Sequence, residues 1–170
     1  AQSEGAGKKG ARYWIHNGLL TIKSEKMAKS LGNFISIKGF MAQYKDADPL
    51  KLLFLNTHYR HPVDYTEEKI GEMRAQKERI VIALEKMKRT AGRHPVCDDK
   101  RVDGFKLRFE SAMDDDMNMP LAIAVVFELV NEANRNMEDA AFASAASKLI
   151  MEIASIFGIN IRSSSDGKEI

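Results

Sequence analysis

The side chains in this sequence best suited to chemistry are two lysines three positions apart, Lys26 and Lys29, with the Ser30 hydroxyl beside the second. They lie in the run Lys26-Met27-Ala28-Lys29-Ser30-Leu31-Gly32-Asn33, within a polar stretch, residues 23–33, that reads as a loop. A lysine ammonium is a compact charge on a flexible stem, suited to polyphosphate oxygens. Loop amides beside a glycine add donors for the same oxygens. In nucleotidyl transfer, negative charge builds on the departing phosphates. Lysines that reach those oxygens late in the reaction stabilise the transition state selectively. A solvated lysine-rich turn is the ordinary alternative for such a pair.

Elements able to hold the loop flank it on both sides. Upstream, residues 13–22 are rich in aromatic and β-branched side chains around Asn17-Gly18, a strand-and-turn pattern that predicts Tyr13 and Trp14 in the core. Downstream, Ser36 is placed to cap a short helix with Ile37, Phe40, Met41 and Tyr44 on one face. Asp48-Pro49 opens a second helix, with Asp48 at N-cap and Pro49 at the first helical position. Its nearly continuous apolar run, Leu50, Leu52, Leu53, Phe54 and Leu55, predicts burial on most sides.

Residues 66–158 read as helix throughout. Thr66 before Glu67-Glu68 starts a long helix with the stripe Ile70, Met73, Ile80, Leu84 and Met87, ending near Gly92 ahead of Pro95. Asp98-Asp99 starts the next, striped by Val102, Phe105, Phe109 and Met113. The acids Asp114, Asp115 and Asp116 fall in a break before Pro120, where capping of free amides is expected. A third helix carries Leu121, Ala124, Val125, Leu129 and Val130. A fourth carries Leu149, Ile150, Ile153, Ile156 and Phe157, with Gly158 closing it. Short connections between them predict an antiparallel four-helix bundle.

Composition and charge bound the reading. The chain has 170 residues, 44% hydrophobic and 29% charged, a globular balance for one domain or two small ones. No run of about 18 apolar residues exists to span a membrane, and the first ten residues lack the apolar core of a signal peptide. The chain opens on Ala1 rather than Met, so a piece of a longer polypeptide is expected. The single Cys97 excludes an internal disulfide and a multi-cysteine zinc site. His58 and His61 have no third ligand nearby in sequence, which predicts a structural role at a junction and no metal. Residues 1–65 carry 10 Lys and Arg against 5 Asp and Glu; residues 66–108 carry 12 against 8; residues 109–170 carry 4 against 11. A basic first two thirds thus joins an acidic end, a distribution compatible with a polyanion partner or with ordinary solvated helix faces.

Four blocks, in order, carry a family resemblance. Lys26 to Ser30 is similar to the K-M-S-K-S loop of class I aminoacyl-tRNA synthetases, with Ala28 where serine is usual and Leu31-Gly32-Asn33 continuing the pattern. Before it, Ala1-Gln2-Ser3-Glu4 and Ala11-Arg12-Tyr13-Trp14-Ile15-His16-Asn17-Gly18 resemble the approach to this loop in cysteinyl-tRNA synthetases. After it, His58-Tyr59-Arg60-His61-Pro62-Val63-Asp64-Tyr65-Thr66-Glu67-Glu68 resembles that family's junction with its helical bundle. Ala112-Met113-Asp114-Asp115-Asp116-Met117-Asn118-Met119-Pro120 resembles its D-D-D-x-N-T-P break, with Met119 in place of threonine. Together these blocks are specific where each alone is not.

The resemblance implies a mainly α chain: a small α/β stem-contact fold bearing the lysine loop, then the antiparallel bundle. It implies the end of the catalytic region and stem-contact fold at residues 1–65, the bundle at 66–158 and a linker or frayed tail at 159–170. The implied activity is that of a cytoplasmic ligase that activates cysteine with ATP and magnesium and transfers it to tRNA(Cys). Lys26 and Lys29 would act on the ATP phosphates, with Met27 and Ser30 completing the ATP contacts. Zinc belongs to the full-length enzyme, but its ligands lie outside the positions matched here, and this chain alone would be inactive. A monomer is expected. Lys69, Arg74, Lys77, Lys86, Lys88 and Arg89 would face tRNA on charge grounds. Two other readings stay open: a sister ligase joining cysteine to an aminosugar, and a non-catalytic RNA-binding or interaction module.

Overall fold

The computed structural model describes residues 2–28, 30, 32–92 and 99–161. Lys29 and Cys97 lie outside the described residues, as does the tail from residue 162. The chain is mainly helical with one small sheet, as the sequence predicts. A short helix α1 (Gln2–Gly5) precedes strands β1 (Leu20–Ile22) and β2 (Glu25–Lys26). Helices α2 (Ile37–Tyr44) and α3 (Asp48–Leu55) lead to strand β3 (Val63–Tyr65). Four longer helices follow: α4 (Glu67–Ala91), α5 (Lys100–Asp114), α6 (Met119–Arg135) and α7 (Ala140–Ile156). Among the described residues, no helix is long and apolar enough to cross a membrane.

The sheet runs in the order β2-β1-β3, with β2 antiparallel and β3 parallel to β1. Only residues 20–22 of the aromatic-rich segment 13–22 form strand. Tyr13 and Trp14 are 85% and 78% exposed, the reverse of the core placement expected of them. Nor is Asn17-Gly18 a hairpin turn. Gly18 lies against the His61-Pro62 backbone, its N–H donating to the Tyr59 carbonyl at 2.7 Å. A Cβ there would overlap the His61 carbonyl and come 2.7 Å from the Pro62 nitrogen, so the close approach requires glycine.

Side-chain caps set several helix starts. Ser36 Oγ accepts from the Gly39 N–H, Thr66 from Lys69, Asp99 from Arg101, Asn118 from Leu121 and Asp139 from Phe142. Gly92 and Gly158 follow α4 and α7 with φ of 54° and 64°, backbone that glycine adopts freely. On α6, Val125, Leu129 and Val130 are buried as expected, but Leu121 and Ala124 face outward and Ala122, Ile123, Val126 and Ala133 are buried in addition. On α7, Ile156 is likewise exposed. Helix α3 buries Leu52 and Leu53 but leaves Phe54 44% exposed, so it is covered on one side and not on most.

Two adjoining cores result. The larger holds Leu84, Met87, Phe109, Leu129, Phe142 and Ile150 between α4, α5, α6 and α7. The smaller gathers Phe40, Leu52, Val63, Tyr65, Ile70 and Met73 around the sheet, and takes Ile123, Ala154 and Ile159 from the far end of the chain. Helix α4 contributes to both, and its first turns belong to the smaller core.

Asp48 does not cap α3. Ala47 holds the N-cap position, and the Asp48 carboxylate is buried, 3% exposed. It accepts from Lys77 Nζ at 2.7 Å, Lys51 Nζ at 3.0 Å and the Asn160 N–H at 3.0 Å. Lys77 also donates to Asp46 at 2.7 Å, and Lys51 to the Gly158 carbonyl. The cluster thus pins α3 to α4 and to the chain leaving α7. Burial pushes the Asp48 carboxyl up, but the bonds from Lys77 and Lys51, the Lys77 charge and the Asn160 amide outweigh it and hold the pKa below 3.8.

Because the folded pKa is lowered, the carboxylate stabilises the fold above pH 3.8 and loses that contribution as pH falls through the folded value. Asp48→Asn should cost about 2–3 kcal/mol in urea unfolding at neutral pH, and the gap from the parent should shrink in strong acid. Gly18→Ala should cost about 1–3 kcal/mol in the same assay, since backbone must move to admit the methyl group.

Candidate functional site

The lysine loop leaves the sheet through a tight hairpin. Its turn residues, Lys23 and Ser24, both sit in left-handed backbone at φ 52° and 65°, a cost for non-glycine residues. Asp64, beside β1 in the parallel register, offsets that cost. Its Oδ1 accepts the Ser24 N–H and the Thr21 hydroxyl, each at 2.7 Å. Lys69 Nζ, in the first turn of α4, donates to the Asp64 carbonyl at 3.1 Å and to Oδ2 at 3.4 Å. The Ser24 amide, then the Thr21 hydroxyl and Lys69, hold the Asp64 carboxyl below the usual aspartate range.

Asn33 closes the loop. Its side-chain oxygen accepts the Ala28 N–H at 2.9 Å, and its nitrogen donates to the Lys26 carbonyl at 3.1 Å. One amide therefore bridges the chain entering the loop, using a donor and an acceptor that no carboxylate or hydrocarbon side chain supplies together. Gly32 just before it takes φ 68°. Lys26 and Ser30 are exposed, whereas Met27 is half-buried. Three of the four residues expected to meet ATP thus lie on one described loop; Lys29, the fourth, is outside the described residues.

Met27 also lines an apolar cavity of about 230 Å³ with Ile22, Ile35, Phe40, Leu50 and Tyr65. A second cavity, of about 310 Å³, opens between Asn17, Leu19, Tyr59, His61 and Val63. Leu20 and Phe54 wall both. The α3 sequence pattern conceals the Phe54 role, because an apolar residue in an apolar run gives no sign of facing a cleft.

The acids after α5 act differently from expectation. Asn118 caps α6, while Asp116 reaches back to the β3 approach. Its carboxylate accepts the Tyr59 hydroxyl at 2.7 Å and the Arg60 guanidinium at 2.7 and 3.1 Å, with His58 Nε2 3.8 Å away. Arg60, then Tyr59, lower the Asp116 pKa. His58 and His61 lie with ring centroids 5.7 Å apart at this junction. Among the described residues no cluster of His, Cys, Asp or Glu could hold a metal ion, so they offer no donor set that fits zinc.

On α4 the basic residues divide. Lys77 is engaged by Asp46 and Asp48, and Lys69 by Asp64. Arg74, Lys86, Lys88 and Arg89 are exposed, interspersed with exposed Glu72, Glu78 and Glu85.

Comparison with known proteins places this arrangement in a family. Residues 1–75 match the model for the tRNA synthetases class I (C) catalytic domain, and residues 108–162 match the DALR domain. The cysteine–tRNA ligase of Methylococcus capsulatus is 39% identical over 161 residues, covering 94% of this chain and 34% of that protein. That of Geobacter sulfurreducens is 40% identical over 171 residues, covering 94% of this chain and 35% of the relative. That of Shewanella oneidensis is 37% identical over 148 residues, 86% and 31% respectively. The chain spans about a third of the length of these relatives. The lysine-loop hairpin, the helices that follow it and these matches along nearly the whole sequence agree: this chain belongs to the cysteinyl-tRNA synthetase family.

Proposed function

We propose that this chain carries the lysine loop and the tRNA-facing helices of a cytoplasmic, monomeric ligase that joins cysteine to tRNA(Cys). The observation that carries the reading is the loop itself: Lys26 stands exposed on the hairpin, with the loop closed by the Asn33 amide. In the reaction, the cysteine carboxylate attacks the α-phosphorus of ATP, forming cysteinyl-adenylate as the α–β phosphate bond breaks and pyrophosphate leaves. The cysteinyl group then passes to the terminal adenosine of tRNA, releasing AMP.

Lys29 and Lys26 neutralise charge growing on the departing phosphates, alongside the magnesium carried with ATP. Met27 and Ser30 complete the nucleotide contacts. Residues 1–65 end the catalytic region and form the stem-contact fold, and residues 66–158 form the tRNA-side bundle; Ile159 and Asn160, expected to begin a linker or frayed tail, are instead held by the smaller core and by Asp48. The exposed set Arg74, Lys86, Lys88 and Arg89 is the surface offered to phosphate backbone, since Lys69 and Lys77 are held by carboxylates. Zinc bound by the full-length enzyme would recognise the cysteine thiolate; no step here passes through it. The relatives' names, cysteine–tRNA ligase, favour tRNA over an aminosugar as acceptor.

Cysteine-dependent ATP–pyrophosphate exchange tests the reading. In the full-length protein, Lys29→Ala and Lys26→Ala should each lower kcat, with a loss of about 100-fold for Lys29→Ala. The 170 residues alone should give no exchange. Unchanged exchange in both lysine variants would overturn the assignment. Charge reversal at Arg74, Lys86, Lys88 and Arg89 should weaken tRNA binding and flatten its dependence on salt.

A further inference from the structure

We infer that Asp64 is a positioning residue for the lysine loop: its carboxylate fixes the β1–β2 turn through Ser24 and Thr21 and ties that turn to α4 through Lys69. The inference rests on the ligase reading above and deepens it. Asp64 is the point at which three elements meet. It belongs to β3, pairs in register with Thr21 of β1, and receives the ammonium of the first turn of α4. Lys26 and Ser30, the exposed loop residues, take no part in these contacts.

The geometry shows what fails without it. Lys23 and Ser24 hold a left-handed pair of residues with no glycine at either position. The Ser24 amide gives its proton to Asp64 Oδ1 at 2.7 Å. With that acceptor removed, the turn loses the bond that compensates its backbone cost, and other turn conformations become accessible. Strand β2, only Glu25 and Lys26, follows immediately. It is too short to set its own direction, so a changed turn re-aims Lys26 and the chain that leads to Lys29. Displacement of about 1 Å at a charge-stabilising group is enough for large losses in rate.

Both Oδ1 contacts need only an acceptor. An asparagine side chain keeps an oxygen for Ser24 and Thr21 while losing the charge facing Lys69. Asp64→Asn should therefore retain the turn, whereas Asp64→Ala should release it. The Lys69 contact, at 3.4 Å to Oδ2 and partly exposed, is the lesser component.

The test is ATP–pyrophosphate exchange by the full-length protein carrying Asp64→Ala, Asp64→Asn, Thr21→Val or Lys29→Ala. The expected result is a 10- to 100-fold fall in kcat for Asp64→Ala with the KM for ATP changed less than about threefold. Asp64→Asn should recover most of that loss. Thr21→Val, which removes one of the two donors, should fall between them and serves if Asp64→Ala does not fold. Near-parental kcat in Asp64→Ala, or in Thr21→Val where it stands in, alongside an impaired Lys29→Ala would overturn the positioning role and leave the ligase reading intact. Asp64→Asn as impaired as Asp64→Ala would also overturn it, since charge rather than the turn acceptor would then matter. A Lys29→Ala protein with parental exchange would remove the ligase reading itself, and this inference with it.

Discussion

A buried carboxylate with three donors holds the two halves of this molecule together. Asp48 sits where α3, α4 and the segment after α7 converge, and each contributes a hydrogen bond to it. A charge in that position is costly unless it is paired and fully hydrogen-bonded. Lys77, Lys51 and Asn160 meet that demand, and no buried side-chain polar atom among the described residues lacks a partner. The arrangement also explains why Ile159 is buried immediately after Gly158 turns the chain. With α3 fixed on α4, the smaller core can close around Phe40, Leu52 and Ile70, and the sheet has a platform.

That platform is narrow, and its polar supports carry the loop. The three strands are two or three residues long, too short for ladder bonds alone to define a direction. Asp64 fixes the hairpin turn, Asn33 closes the loop that follows, and Gly18 lets the preceding segment lie directly on the His61 backbone. At the other side of the junction, Asp116 grips Tyr59 and Arg60 and so links the α5–α6 turn to the approach to β3. The bundle and the loop-bearing fold are thereby joined at several polar points as well as through the shared helix α4.

The surface divides in a way that suits the proposed role. Lysines near the loop stay exposed, while two of the α4 lysines are committed to carboxylates. Apolar side chains are exposed on the loop-bearing half, with Tyr13, Trp14, Ile15 and Leu19 on the segment before β1 and Ile37 and Phe54 on α2 and α3. Exposed apolar side chains also occur on the bundle, at Ile82, Leu107, Leu121, Met151 and Ile156. The relatives are about three times the length of this chain.

Much of this was legible in the sequence because it depends on local chemistry. Ser36, Thr66 and Asp99 cap helices where their side chains reach free amides a few residues on, and Gly92 and Gly158 end helices where backbone turns left-handed. The lysine spacing and its flanking blocks identified the family, since they are contiguous in the chain. The misread positions share a different property: their partners are distant in sequence. Asp48 resembles a cap until Lys77 and Asn160 arrive from 29 and 112 residues away. Asp116 likewise resembles a cap until Arg60 is brought to it, and Tyr13 and Trp14 resemble core until the fold leaves them uncovered. The sequence by itself determined the longer helices, the caps at Ser36, Thr66 and Asp99, and the lysine loop, because those follow from interactions within a few residues. Only the tertiary structure decided which carboxylates become anchors and which apolar side chains stay exposed, because burial and long-range pairing are properties of the packed chain.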